Sequence, residues 1–287
     1  MKQPNVSNHL AKLRARGIVR ANKVGREVYY SLASAEVEAA IRGLLDQGVE
    51  EAESEIRVED ATRQYAKAAV SGDEHTCSRI IDNLIRQGIS LVQIYQHVIA
   101  SSMDLVGKWY VVEAIDEGQE HLATAITERM MARVLHFSAP VKKTSRIVLL
   151  GCVSGNWHCI GLRMISDYLR LNGWKTLYLG ANVPESSFVT AVQEHEPEMV
   201  LVSCAQAENE KSTLQLIATL CRLAASGKPF RIGVGGLHVG KNPEPFINGG
   251  ADFSSISLMA FAEEVMPTLN QRSDPGISPG VQPLSGN

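Results

Sequence analysis

The sequence predicts a multidomain chain: a short α+β segment, an all-α four-helix bundle, and a Rossmann-like or flavodoxin-like α/β domain with a five-stranded parallel sheet. Three observations carry this. A basic stretch at the start reads as one helix followed by alternating strands around a glycine. Residues 57 to 138 repeat apolar side chains at helical spacing, and from Arg146 onward short apolar runs alternate with amphipathic stretches. The expected boundaries are 1–33, 54–138 and 145–270. The tail 271–287, rich in Pro, Gly and Ser, is expected to be disordered.

Composition narrows the function classes. At 287 residues and 45% hydrophobic content the chain is long enough for several modest cores. It has no run of about 18 uncharged apolar residues and no secretion-signal pattern, so a cytoplasmic protein without a membrane span is expected. Five cysteines, Cys77, Cys152, Cys159, Cys204 and Cys221, are scattered without a CxxC pair, which suits reduced packing residues. The net charge of -3 is uneven. Residues 1 to 32 set seven basic side chains against Glu27 alone, a local +6, and leave -9 on the remainder. One end can bind a polyanion; the rest cannot.

In "QPNVSNHLAKLRARG", Val6, Leu10 and Leu13 share a helical face after the turn-forming Pro4, and Gly17 ends the helix. Ile18 and Val19 begin a strand, and "NKVGREVYYSL" reads as two alternating strands turned at Gly25. A recognition helix needs short polar side chains at its N-terminal end for base edges and basic ones behind for phosphates. Gln3, Asn5, Ser7, Asn8 and His9 meet the first need, and Lys12, Arg14 and Arg26 the second. The segment resembles the second half of a winged helix-turn-helix of the ArsR type over about 30 residues. Double-stranded DNA is the partner this resemblance implies. The helices that precede the recognition helix in that family are not in this sequence, so we expect a partial motif, with the chain starting inside it. A basic helix that only solubilises one end is the plainer alternative.

Four helical patterns follow, broken at "SGDEH", "QGIS" and "DEGQEH". Ile81, Leu84 and Ile85 form one apolar row, and Leu91, Ile94, Val98 and Met103 another, as in an antiparallel bundle. Trp109 ends one helix and Glu120-His121 opens the next, which places an indole, a carboxylate and an imidazole about one interhelical loop. Each taken alone reads as an ordinary core or helix-start residue.

Beyond Arg146, "RIVLLGCV", "KTLYLGA", "MVLVSCA", "FRIGVGG" and "ADFSSIS" read as strands, with helices near 160–172, 185–195, 208–226 and 257–269. The loops "SGNWHCIG", "SCAQAEN" and "GVGGLHVG" stand at strand ends, where such sheets bind ligands. Neither GxGxxG after the first strand nor a GK[ST] motif occurs, and His238 stands where a third glycine would be, so phosphate cradling is the weaker reading. His158 sits on a glycine-flanked loop, suited to a nitrogen ligand facing a large planar cofactor, with Asn156 in reach of its second nitrogen and Gly161 permitting close approach. From this loop alone, a histidine bonded to backbone is the simpler account. Ser203, and Gly235-Gly236 where a long ligand tail has room to run, favour the ligand.

These residues resemble a cobalamin-binding domain of the methionine synthase type over 146–270. Its pattern, DxHxxG then SxL then GG, is matched by Asn156, His158 and Gly161, by Ser203 with Ala205, and by Gly235 and Gly236. The preceding bundle resembles the helical cap of cobalamin-dependent light-sensing transcription regulators, and the two together span about three quarters of the chain. The resemblance implies cobalamin as cofactor, adenosylcobalamin first and methylcobalamin second. It implies His158 as lower cobalt ligand, a nucleotide tail near Ser203, Ala205 and the glycines, and Trp109, Glu120 and His121 about the upper ligand. Asn156 departs from the Asp or Glu of the family, Ala205 from its leucine, and Tyr110 from a histidine carried by some light-sensing relatives, for which His121 is a substitute. The expected function is therefore a non-enzymatic, cobalamin-binding transcriptional regulator, a photoreceptor acting as a homo-oligomer. The alternatives are a corrinoid protein carrying methyl groups and a light-independent cobalamin sensor.

Overall fold

The computed structural model describes residues 10–25, 27–38, 57–138 and 144–270. The chain divides into two compact units, Met1–Ser54 and Glu55–Asn287.

In the first unit residues 10–15 are helical, and the helix stops at Gly17, whose φ of 69° is left-handed. Strand β1 (Val19–Val24) pairs antiparallel with β2 (Glu27–Leu32) in a register running from Val19 opposite Leu32 to Val24 opposite Glu27. The glycine expected at the turn, Gly25, takes φ 65°. Lys12 and Arg14 are exposed. Gln3, Asn5, Ser7, Asn8, His9 and Arg26, like the tail 271–287, lie outside the described residues.

The second unit starts with four helices. They are α1 (Val58–Val70), α2 (Glu74–Arg86), α3 (α-helical over Leu91–Gln93 and Ser101–Val111, π-helical over Ile94–Ala100 between them) and α4 (Glu117–Phe137). Local chemistry sets their starts. Asp73 accepts from the Thr76 N–H, and Ser90 with Gln93 and Asp116 with Gln119 form capping boxes. Tyr65, Ile81, Leu84, Ile94, Val98, Ile126 and Met131 fill the shared core.

The α/β part has five parallel strands in the order β4-β3-β5-β6-β7: β3 (Ile147–Cys152), β4 (Lys175–Tyr178), β5 (Met199–Ser203), β6 (Arg231–Gly235) and β7 (Phe253–Ser255). Along β3, Leu149 belongs to one core layer and Val148 and Leu150 to the opposite one, the period of two that a sheet covered on both sides requires. Helices α6 (Glu185–His195) and α7 (Glu210–Ser226) cover the first layer; α5 (Ile160–Leu171), with Phe261, Val265, Met266 and Leu269 from the end of the domain, covers the second. The chain reading treats "GVGGLHVG" as a loop, whereas the structure winds it into α8 (Leu237–Lys241), with α9 (Glu244–Asn248) after it, so His238 is helical. Helix α10 is α-helical over Leu258–Ala260 and Met266–Asn270 and π-helical over Phe261–Val265.

Bundle and sheet share packing: Met164 of α5 and Leu258 of α10 are part of the bundle core. The Tyr95 hydroxyl on the π-turn of α3 lies 2.9 Å from Asp167 Oδ2 on α5 and 2.9 Å from the Met131 carbonyl on α4. Among the described residues, no helix is long and apolar enough to cross a membrane.

Candidate functional site

Strand order reverses between β3 and β5, since β3 is followed in sequence by a strand on one side of it and β5 pairs on the other. Ligand crevices form outside the strand ends at such a switch point. The loop after β3 occupies it. Ser154 and Gly155 turn the chain, with Gly155 at φ 83°, and Asn156 follows fully buried.

Three asparagines hold this loop. Asn156 Nδ2 donates to the Ser203 carbonyl at 2.8 Å and lies 3.4 Å from its hydroxyl, while its Oδ1 accepts the backbone N–H of His158 at 3.1 Å. Asn182, in a left-handed conformation at φ 51°, accepts the Gly155 N–H at 2.8 Å, and its own N–H donates to the Asn156 carbonyl at 2.9 Å. Asn209 Nδ2 reaches the Ser154 carbonyl at 3.5 Å. The sequence reading places the Asn156 amide against the second imidazole nitrogen; in the structure that amide holds the main chain of the loop instead. The His158 side chain is exposed, and its ring has no hydrogen-bond partner among the described residues. Nothing in the sequence pattern marks Asn182 or Asn209, because each acts through contacts distant along the chain.

The glycines divide by environment. A Cβ on Gly235 would lie 2.7 Å from the Ser255 carbonyl oxygen, and one on Gly236 2.4 Å from that of Cys204, so this pair lets neighbouring strand ends close on each other. A Cβ on Gly161 would meet nothing within 4 Å, leaving open space at the start of α5. Ser203 is buried and Ala205 half-buried beside this loop system. Exposed apolar side chains follow four of the five strands: Trp157, Leu179, Leu237 and Ile256 rim the same edge of the sheet. The spacing of the motifs gives no sign of this rim, which appears only when the strand ends are brought side by side. Burial pushes the Cys152 thiol up to about 12 and raises those of Cys159 and Cys204, so none of the three offers a thiolate.

On the bundle, Trp109 packs half-buried against the core, and Tyr110, Val111 and Val112 beyond it are exposed. Glu120 and His121 lie in the first turns of α4. His121 Nδ1 is 2.8 Å from Glu120 and Nε2 3.4 Å from Glu117, and Thr124 donates to Glu120 at 3.1 Å. No hydrogen bond or ion pair among the described residues joins Trp109, Glu120 or His121 to His158. Helix α4 links the two groups, since its Glu128 lies 3.9 Å from the thiol of Cys159, next to the histidine.

Residues 146–257 match the family model of the B12 binding domain, and residues 61–135 match a second model of the same description. The chain carries a two-part B12-binding module. It is 28% identical over 159 residues to the HTH-type transcriptional repressor CarA of Myxococcus xanthus, a match covering 55% of this chain and 54% of that one, so the chain spans about half the length of this relative. It is also 24% identical over 160 residues to the trimethylamine corrinoid protein of Methanosarcina barkeri, covering 53% of this chain and 71% of that one. Among solved structures, the Methanosarcina barkeri monomethylamine corrinoid protein superposes with a TM-score of 0.62 at 17% identity, covering 74% of this chain and 100% of that one, which shows a common fold.

The residues of the B12-binding module fit such a cofactor. An exposed imidazole without a partner stands at the switch point, no neighbouring thiolate competes with it, and space lies open at Gly161. Beneath the loop, Asn209 Oδ1 is buried with no hydrogen-bond partner.

Proposed function

We propose that the chain is a cobalamin-dependent transcriptional regulator in which adenosylcobalamin, with light as trigger, sets the affinity for double-stranded DNA. The observation that carries this reading is the presence, in one chain, of paired B12 binding domains and a basic helix with a β-hairpin. The match to an HTH-type transcriptional repressor over 55% of the chain supports it.

In this reading His158 holds cobalt through an imidazole nitrogen, and Asn156 fixes the loop that presents it. Ser203, Ala205, Gly235 and Gly236 would border the nucleotide tail of the cofactor, and Gly161 would leave room for it. Trp109, Glu120 and His121 would hold the cofactor from the bundle. Bound adenosylcobalamin supplies a cobalt–carbon bond that light breaks. With an amide at 156 in place of a carboxylate, no carboxylate supports His158 from this loop, so its hold on a metal is weaker than a carboxylate-supported histidine's. Gln3, Asn5, Ser7, Asn8 and His9 read bases, while Lys12, Arg14 and Arg26 hold phosphates. The protein acts as a cytoplasmic homo-oligomer and carries no catalytic residue of its own.

A second reading, a corrinoid protein carrying methyl groups to a separate enzyme, is favoured by the match to trimethylamine corrinoid proteins. Gel shifts of the full chain on duplex DNA containing the region upstream of its coding sequence separate the readings. With adenosylcobalamin, a change in binding only on illumination supports the photoreceptor. A change with cofactor alone marks a light-independent sensor, and no DNA binding under any condition favours the methyl carrier. His158→Ala is expected to alter the absorption spectrum of the reconstituted protein; an identical spectrum rejects cobalt ligation by this residue.

A further inference from the structure

Asn209 is the one described residue with a buried side-chain polar atom that lacks a hydrogen-bond partner, its Oδ1. The residue is 6% exposed and belongs to the segment after β5, where it meets the loop after β3 at the switch point of the sheet. Its orientation is fixed by its other end, since Nδ2 faces the Ser154 carbonyl at 3.5 Å and a Cβ on Gly155 would lie 3.0 Å from it. Flipping the amide would set two acceptors against each other. The oxygen therefore points away from the loop that the nitrogen holds and is cut off from water. Buried acceptors without donors are rare in folded proteins, because the lost hydration goes uncompensated. Where one occurs at a ligand crevice, a donor brought by the ligand is the direct way to satisfy it.

We infer that Asn209 Oδ1 accepts a hydrogen bond from the nucleotide tail of a bound cobalamin. The inference rests on the reading that cobalamin sits at the His158 loop. His158 is exposed on the loop after β3, while Asn209 is buried against Ser154 of the same loop. A macrocycle is too broad to enter between two strand-end loops. The tail is slender, and it carries ribose hydroxyls and amide N–H groups able to donate. Asn209 therefore selects corrinoids with a complete tail over those without one.

Equilibrium titrations of the full chain with hydroxocobalamin and with its tail-less counterpart, aquocobinamide, test this, read as the ratio of the two dissociation constants. The ratio cancels any change in the fraction of folded protein. Asn209→Leu removes donor and acceptor and is expected to lower the preference for the complete cofactor roughly tenfold, the worth of one hydrogen bond left unmade. Asn209→Asp keeps an acceptor but loses the donor to Ser154, and is expected to retain the preference. If both variants weaken binding of the two corrinoids equally, Asn209 only holds the loop and the inference fails. It fails too if the ratio is unchanged in Asn209→Leu, or if Asn209→Asp loses the preference as fully as Asn209→Leu. Wild-type protein binding neither corrinoid would instead overturn the placement of cobalamin at His158.

Discussion

At Gly236 the backbone runs at φ 111°, and a Cβ would lie 2.4 Å from the Cys204 carbonyl oxygen, a backbone atom that cannot swing aside. Gly236→Ala is therefore expected to cost about 3 kcal/mol or more in folding stability, by thermal or denaturant unfolding of the ligand-free chain. Gly161 makes the opposite case. It sits in the first turn of α5 with nothing near its missing side chain, so Gly161→Ala should leave stability unchanged or raise it by about 0.5 kcal/mol. If the open space is the seat of the cofactor, that same variant binds cobalamin more weakly; unchanged affinity would place the corrin elsewhere. Sequence alone marks both glycines, because each falls on a motif, but it does not separate their reasons. The placement of His158, Ser203 and the glycine pair at strand ends was legible for the same cause: local patterns of a few residues. Asn182 and Asn209 were not, since their partners lie 27 and 55 residues away and only folding brings them together.

Helices and strands were largely legible, since apolar periodicity and caps such as Asp73, Ser90 and Asp116 act within a turn or two. The π-turns of α3 and α10 were not, because a one-residue widening leaves the apolar period almost unchanged and is set by what the helix packs against. In α3 that turn aims Tyr95 at Asp167 and sets Gln96 Oε1 3.5 Å from the N–H of Met259 on α10. The Tyr95 hydroxyl has one proton and two acceptors, the Asp167 carboxyl and the Met131 carbonyl. Both are served when Asp167 is protonated and donates to the phenol oxygen while the phenol donates to Met131. Burial raises the Asp167 carboxyl above its ordinary range, against the pull of the Tyr95 hydrogen bond and of Arg163 and Arg170. A carboxyl raised on folding is held more readily as the acid. Its contribution is full below about pH 4, where unfolded Asp is also protonated, and is lost as pH climbs toward the raised value. Asp167→Asn, which stays neutral, is expected to match wild type near pH 3 and exceed it at pH 7 in urea unfolding. A variant less stable than wild type at pH 7 would show that the ionised form, paired with Arg163 at 3.9 Å, is the one the fold favours.

At the scale of the molecule, the shared core limits how a signal can travel. Met164 and Leu258 complete the bundle's packing, and Tyr95 and Gln96 join α3 to α5 and α10, so the first half of α3 is fixed to the α/β part. The far end of α3 is different. Trp109 is half-buried there, and Tyr110, Val111 and Val112 leave apolar surface in water, with Glu113 in a left-handed turn at φ 57°. Such a patch is unfavourable to leave uncovered and is the part of the bundle that a bound group can stabilise. A ligand shifts a conformational equilibrium only by binding one arrangement better than the other. If Trp109 covers the upper face of the cofactor, its indole supplies that difference, and photolysis removes the group it rests on. Trp109→Ala is then expected to keep cobalamin, since His158 and the lower site are untouched, but to narrow the gap between dark and illuminated DNA affinities several-fold. Paired gel-shift titrations on full-length protein read that gap directly. An unaltered gap would move the trigger to another contact, of which the Glu120–His121 pair, 2.8 Å apart on the first turns of α4, is the next to test.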